Sequence, residues 1–283
     1  QTPAGLQSYQ IRKKTIKVKD SLDVVLNLKI SRHGPIVNSL IDGIHQKEPI
    51  AMSWVYTQQP IKILDATYSL CHARNIADFK SHISLIAAPG LNIMYGDATG
   101  NIAWTTSGKL YKHDTGVNTN FILDGATGKD DVKEYIDFSK NPQALNPSWN
   151  YVYSANNQPE AIDGFLYPGY YLPEDRAKRI FNLLESKNNW TKEDVSKMIT
   201  DNISSKSPAI VSDLIASVDY NSLSENEKKG YTVLKSWKGS NELQDIAPTI
   251  YNKWIYLYLK NTFKDELGEE DFKLFLGTHI MKQ

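Results

Sequence analysis

Ser154-Ala155-Asn156-Asn157-Gln158-Pro159, followed by Gly169-Tyr170-Tyr171-Leu172-Pro173-Glu174-Asp175-Arg176, is the place where the chain changes character. The run before it, Tyr151-Val152-Tyr153-Ser154-Ala155, is aromatic and β-like, and reads as a short strand entering a polar turn. After Pro173 the pattern turns helical. Glu174 and Asp175 suit a first turn, where free backbone N–H groups and the helix dipole favour anions. Ala177, Ile180, Phe181 and Leu184 then repeat at helical spacing. The chain thus divides into a β-rich part, 1–172, and a helical part, 173–283, an α+β or layered α/β arrangement.

Toward the N-terminus the strand signals continue. Tyr9 to Val18 and Val24 to Ile30 are rich in β-branched residues, and Ala51 to Tyr56 reads as a third strand. Arg32-His33-Gly34-Pro35 is a tight turn by its Gly-Pro step. Asn75 is placed to cap a helix carrying Asp78 at its third position and Phe79, His82, Ile83 and Ile86 on one side. Leu91–Tyr95 and Asn101–Thr105 form a hairpin around Gly96-Asp97-Ala98-Thr99-Gly100. Lys109 to Trp149 is irregular and too long for an ordinary loop, so it should wrap the surface or line a cleft. Toward the C-terminus, Thr191 with Asp194 and Ser207-Pro208 open helices, with Val195, Met198 and Ile199 expected to face inward. Ser224 to Trp237 and Pro248 to Phe263 are further helices, and Asp271 to Phe275 begins a last one.

Composition narrows the function classes. Thirty-two basic and 32 acidic side chains cancel, and no basic stripe dominates the 283 residues, which argues against a nucleic-acid partner. Arg12-Lys13-Lys14 reads as the wet face of a strand. No run reaches the ~20 apolar residues of a membrane span. The single cysteine, Cys71, rules out a disulfide framework within the chain and reads as a buried structural residue.

The six histidines show no zinc or HExxH spacing, and there is no GxSxG elbow. Asn156 differs, because it follows small residues that let a substrate approach. Its amide can donate to the oxygen of a carbonyl as negative charge develops there, a contact whose loss costs a hydrolase about 3–4 kcal/mol. Arg176 cannot act as a base, but its fixed donors can orient a substrate or a nucleophile. The plainer alternatives are an Asx turn for Asn156 and an ion pair with Glu160 or Asp163 for Arg176. A glycan-binding module using Tyr167, Tyr170 and Tyr171 is a further alternative.

Several motifs, in order, resemble the large (β) chain of the penicillin acylase family of N-terminal-nucleophile (Ntn) hydrolases. They are Arg32-His33-Gly34-Pro35, Met52-Ser53-Trp54, Ala73-Arg74-Asn75 with Asp78-Phe79, and the Asn92–Ile102 hairpin. They continue with Asn146-Pro147, Ala155-Asn156-Asn157-Gln158-Pro159, Asp175-Arg176, and Trp237 with Ala247-Pro248, Tyr251 and Trp254. The departures are Ser53, where the family favours arginine, Gly96, where it favours alanine, and Gln1, where its large chain begins with serine.

The resemblance implies part of an αββα sandwich and hydrolysis of an N-acylated small-molecule amide, with penicillin-type amides and acyl-homoserine lactones among the substrates. A precursor, or zymogen, would cleave itself to expose a serine whose own α-amino group is the base. Asn156 then resembles the oxyanion donor, and Arg176 the arginine that orients the nucleophile. No catalytic cofactor is implied. A structural calcium is implied for the complete protein, with Asp163 its nearest acidic ligand here. The implied partners are a small (α) chain and the rest of the β chain, and the implied location is periplasmic or secreted in a bacterium, although one cysteine is equally compatible with cytosol. These 283 residues would be a middle portion lacking its nucleophile and inactive alone. The alternative is a family member that has lost catalysis and serves as a binding or scaffold protein.

Overall fold

Local chemistry accounts for most of the elements in the computed structural model, which describes residues 1–41, 44, 46–161, 166–167 and 169–278. The chain forms two compact units. One holds Gln1–Tyr153 with Gln158–Tyr170, and the other Ser154–Asn157 with Tyr171–Gln283. The first is strand-rich and the second helical, so the α+β class read from the sequence is observed.

In the first unit β1 (Gln10–Ile16) pairs antiparallel with β2 (Val24–Ser31), which turns through Arg32-His33 into β3 (Gly34–Pro35). Gly34 is required at this turn. Its φ is +141°, and a Cβ there would lie 2.1 Å from the Met52 carbonyl oxygen. The expected third strand at Ala51–Tyr56 is reduced to a single bridge between Ala51 and Ile36. Beyond it the chain winds into the short α1 (Val55–Gln58), because the Thr57 N–H and hydroxyl both donate to the Trp54 carbonyl at 2.8 Å.

Helix α2 (Ile63–Leu70) was not anticipated, and it corrects the reading of Cys71. Ala66 is its fully buried residue, and Cys71 lies five positions later, about 140° around the helix axis, where it is exposed. Helix α3 (Ile76–Ile83) begins as expected. The Asn75 side chain accepts from the N–H groups of Ala77 and Asp78, both at 2.9 Å. Its buried face carries Phe79 and Ile83, and Phe79 packs on Tyr95 with ring centroids 4.8 Å apart.

Tyr95 lies on β4 (Asn92–Gly96), which pairs with β5 (Ile102–Thr106) in the expected hairpin. Alternation buries Ala103 and Thr105. The irregular segment contains β6 (Tyr111–Lys112), β7 (Glu134–Tyr135) and a 3-10 turn, Phe138–Lys140. It then returns as β8 (Gln143–Leu145), the third strand beside β5. Asn141 fixes that return. Fully buried, it donates through Nδ2 to the carbonyls of Thr106 and Gly108 at 2.9 and 3.0 Å.

The second unit contains α4 (Asp175–Leu184), α5 (Lys192–Ile199), α6 (Ser207–Ala216), α7 (Glu225–Ser236) and α8 (Ala247–Gly277). Thr191 with Asp194, and Ser224 with Glu227, form reciprocal capping boxes. Gly268, at φ 76° and ψ 176°, breaks α8 in a conformation open essentially only to glycine. Val211, Leu234, Trp237 and Ala247 make the core, with Tyr251 and Trp254 packed against it. Each large apolar side chain buried there contributes about 1.5–3 kcal/mol. The expected stripe on α5 differs, with Val195 39% and Ile199 78% exposed, so that helix is secured by its polar cap more than by apolar packing.

Candidate active site

Ser154–Asn157 belongs to the helical unit, together with Arg176. The expected strand at Tyr151–Ala155 is not among the strands formed by the described residues. The backbone groups of Ala155 are taken by side chains instead. Its N–H donates to Asn157 Oδ1 at 3.3 Å, and its carbonyl accepts from Arg176 Nη2 at 2.8 Å. Ala155 itself is buried.

Asn156 has a φ of +61°, in the left-handed region that asparagine tolerates better than most residues. This conformation turns the chain sharply between the buried Ala155 and Asn157. The Asn156 carbonyl accepts from the Leu172 N–H at 2.8 Å, tying the turn to the residues that lead into α4. The Asn156 side-chain oxygen accepts from the same Arg176 Nη2 at 2.9 Å. One guanidinium nitrogen therefore spans a main-chain and a side-chain carbonyl.

Two consequences follow from this geometry. The Asx turn weighed for Asn156 is not what its side chain makes, since the short-range contact belongs to Asn157. With Oδ1 held, the amide plane is fixed, and Asn156 Nδ2 donates to no acceptor among the described residues. Asp163, one of the two ion-pair partners weighed for Arg176, lies outside the described residues. An oriented amide donor beside a guanidinium that forms no ion pair among the described residues is suited to a developing oxyanion.

The other sequence candidates lie elsewhere or are satisfied structurally. His33 Nε2 meets Asp131 Oδ1 at 2.8 Å, and Arg32 grips the same carboxylate at 2.5 and 3.1 Å. These bonds, led by the Arg32 contact, hold Asp131 below the usual carboxylate range. His72 and His113 bond the carbonyls of Tyr68 and Asp130. His45 and His279 lie outside the described residues. Among those described, no cluster of three or more His, Cys, Asp or Glu side chains could hold a metal ion. Tyr167 is buried, and its hydroxyl donates to the Lys140 carbonyl, so it is no part of an exposed aromatic platform for sugars. A surface depression of about 390 Å³ opens beside Glu174, Lys206 and Tyr251, but neither Asn156 nor Arg176 lines it.

Comparison with known proteins decides the family. The family profile described as "Penicillin amidase" matches residues 1–282. The chain belongs to the penicillin amidase family. It is 28% identical over 187 residues to penicillin G acylase of Escherichia coli, covering 61% of this chain and 22% of that protein. It is 24% identical over 281 residues to an acyl-homoserine lactone acylase of Pseudomonas fluorescens, covering 94% of this chain and 34% of that one. A thermostable penicillin G acylase from Alcaligenes faecalis superposes with a TM-score of 0.74 at 19% identity, over 93% of this chain and 48% of the other. This penicillin amidase chain thus has the Ntn-hydrolase fold and spans a minor part of the curated relatives it matches. Among its described residues no helix is long and apolar enough to cross a membrane.

Proposed function

We propose that this chain forms part of an N-acyl amide hydrolase in which Asn156 Nδ2 donates to the oxyanion and Arg176 orients both that amide and the nucleophile. The observation that carries the reading is the Asn156 Oδ1–Arg176 Nη2 bond of 2.9 Å, which fixes the amide and leaves its N–H groups to donate.

The nucleophile in this reading is a serine contributed from outside these 283 residues, exposed by self-cleavage of a precursor. Its α-amino group, with an ordinary pKa near 8, takes the hydroxyl proton at neutral pH. The hydroxyl oxygen attacks the amide carbonyl, and charge moves onto the carbonyl oxygen toward Asn156. Collapse expels the amine, which leaves with the transferred proton. Water then releases the acid from the acyl-enzyme and restores the serine. A backbone N–H, also from outside the chain, completes the oxyanion hole. The partners are a small chain and the remainder of the large chain, and the location is periplasmic or secreted. A structural calcium, with Asp163 among its ligands, belongs to the complete protein and takes no part in these steps.

Phenylacetyl and long-chain acyl amides, offered to the complete protein and to these 283 residues alone, test the reading. The complete protein should release amine and carry the acyl group on an N-terminal serine, seen by mass spectrometry. The isolated chain should release none. Turnover by the isolated chain contradicts an outside nucleophile. A processing junction with no Ser, Cys or Thr contradicts hydrolysis and favours a binding or scaffold role.

A further inference from the structure

Arg176 can serve as described only if its own backbone is held, and the structure shows what holds it. Asp175, the preceding residue, opens α4 and aims its carboxylate at the segment that starts α6. Oδ1 accepts from the Ser205 N–H at 2.8 Å, the Lys206 N–H at 3.0 Å and the Ser205 hydroxyl at 2.8 Å. Oδ2 accepts from the Ser204 hydroxyl at 3.0 Å. The N–H groups of Ser205 and Lys206 immediately precede α6, so one carboxylate anchors the start of α4 and satisfies the entry to α6 together.

The anchored segment is itself fixed. Ser204 N–H donates to the Gly239 carbonyl at 2.8 Å. Gly239 has φ +89°, and a Cβ there would fall 2.2 Å from the Ser204 carbonyl oxygen, so the two backbones need a glycine to meet. One turn along α4, Arg179 forks onto Asp201 at 2.8 and 2.6 Å, a second tie between the same two stretches. In the other direction along the chain, Arg176 reaches back to Ala155 and Asn156. The first turn of α4 is therefore clamped to the 201–206 segment while its arginine clamps the Asn156 turn.

We infer that Asp175 is a positioning residue for the acyl transfer, holding the α4 N-terminus so that Arg176 keeps Asn156 Nδ2 directed at the oxyanion. This inference rests on the proposed roles of Asn156 and Arg176. The side chain of Asp175 is spent on Ser204, Ser205 and Lys206, so its effect passes through Arg176. A misplacement of about 1 Å at a reacting centre can cost on the order of 100-fold in rate. Replacing Asp175 should accordingly lower kcat and leave KM nearly unchanged.

The test is a double-mutant cycle in the complete protein, scored by amide hydrolysis. Asp175→Ala should lower kcat by roughly 10- to 100-fold. In an Arg176→Ala background the same change should cost nothing further, because the residue it positions is gone. Asp175→Asn keeps one acceptor oxygen for the two N–H groups and should fall between wild type and alanine, and this variant carries the test if the alanine protein does not fold. Thr191→Ala removes the cap of α5 and supplies a comparison for general destabilisation, which should leave kcat unmoved. Additive losses in the cycle, or an unchanged kcat for both Asp175 variants, overturn the inference while the reading of Arg176 stands. If Arg176→Ala and Asn156→Ala leave kcat unchanged, the reading beneath it fails instead.

Discussion

Two polar turns in this chain share residue chemistry and differ in what they leave over. In the β4–β5 hairpin, the Asp97 carboxylate accepts from the Tyr95 hydroxyl, the Thr99 N–H and hydroxyl, and the Asn101 N–H and side-chain amide, at 2.6–3.0 Å. Five donor groups of Tyr95, Thr99 and Asn101 are spent on that one carboxylate, and the turn closes on itself. At Asn156 the side-chain oxygen is occupied by Arg176, while the amide N–H groups have no acceptor among the described residues. The first arrangement stabilises a hairpin. The second holds a donor ready for something the turn does not contain. A turn polar in sequence is therefore a candidate site only when its hydrogen-bonding capacity exceeds what its own backbone consumes.

The largest expected effect separates the two turns by activity. Asn156→Ala in the complete protein should lower kcat by about 10²–10³, roughly 3–4 kcal/mol of transition-state stabilisation. Its thermal midpoint should also fall, by the equivalent of about 1–2 kcal/mol, because alanine tolerates the left-handed backbone at this position less well than asparagine. Asp97→Asn should lower the midpoint without changing kcat. If Asn156→Ala costs stability and no activity, the contrast between the turns collapses.

A smaller effect is expected at Asn75, which resembles Asp97 in spending its side chain locally, on two N–H groups at 2.9 Å. Asn75→Ala should cost about 1 kcal/mol of stability in denaturant titration and nothing in kcat. A loss of activity there would blur the line between self-satisfied caps and the Asn156 corner.

The subtlest expected effect is linked to pH. Hydrogen bonds led by those from Thr99 depress the Asp97 carboxyl well below its ordinary range, and those led by Thr127 hold Asp124 down to about 2. A depressed folded-state pKa contributes stability that is fully present above the unfolded value near 3.9 and is lost as pH falls toward the folded value. The midpoint difference between wild type and Asp97→Asn should hold steady above about pH 5 and narrow below about pH 4. A difference that widens on acidification contradicts the hydrogen-bonded carboxylate.

Much of this was legible in the sequence, for local reasons. Asn75, Thr191 and Ser224 act on N–H groups within three residues, so their caps follow from spacing alone. The 92–106 hairpin follows from two β-rich runs around a glycine-bounded turn. The Asn156–Arg176 pairing spans 20 residues, so the sequence suggests an amide and a guanidinium near one pocket but no spacing rule dictates their bond. What stayed hidden depends on distant neighbours. Gln143–Leu145 is a strand because β5 has an open side, whereas at the end of Tyr151–Ala155 side chains take the backbone groups of Ala155. Cys71 carries no local signal of exposure. Asp175 reads as an ordinary first-turn acid, and the four bonds of its carboxylate to residues 204–206 appear only in three dimensions.

The central claim concerns one donor, and a structure of the complete protein carrying a sulfonate ester on its N-terminal serine, formed from an alkyl sulfonyl fluoride with loss of fluoride, tests it most directly. The account predicts Asn156 Nδ2 at about 2.7–3.1 Å from the adduct oxygen that mimics the oxyanion. Arg176 Nη2 should remain on Asn156 Oδ1, near its present 2.9 Å. An adduct oxygen bound by other donors, with Asn156 Nδ2 beyond hydrogen-bond reach, would contradict it.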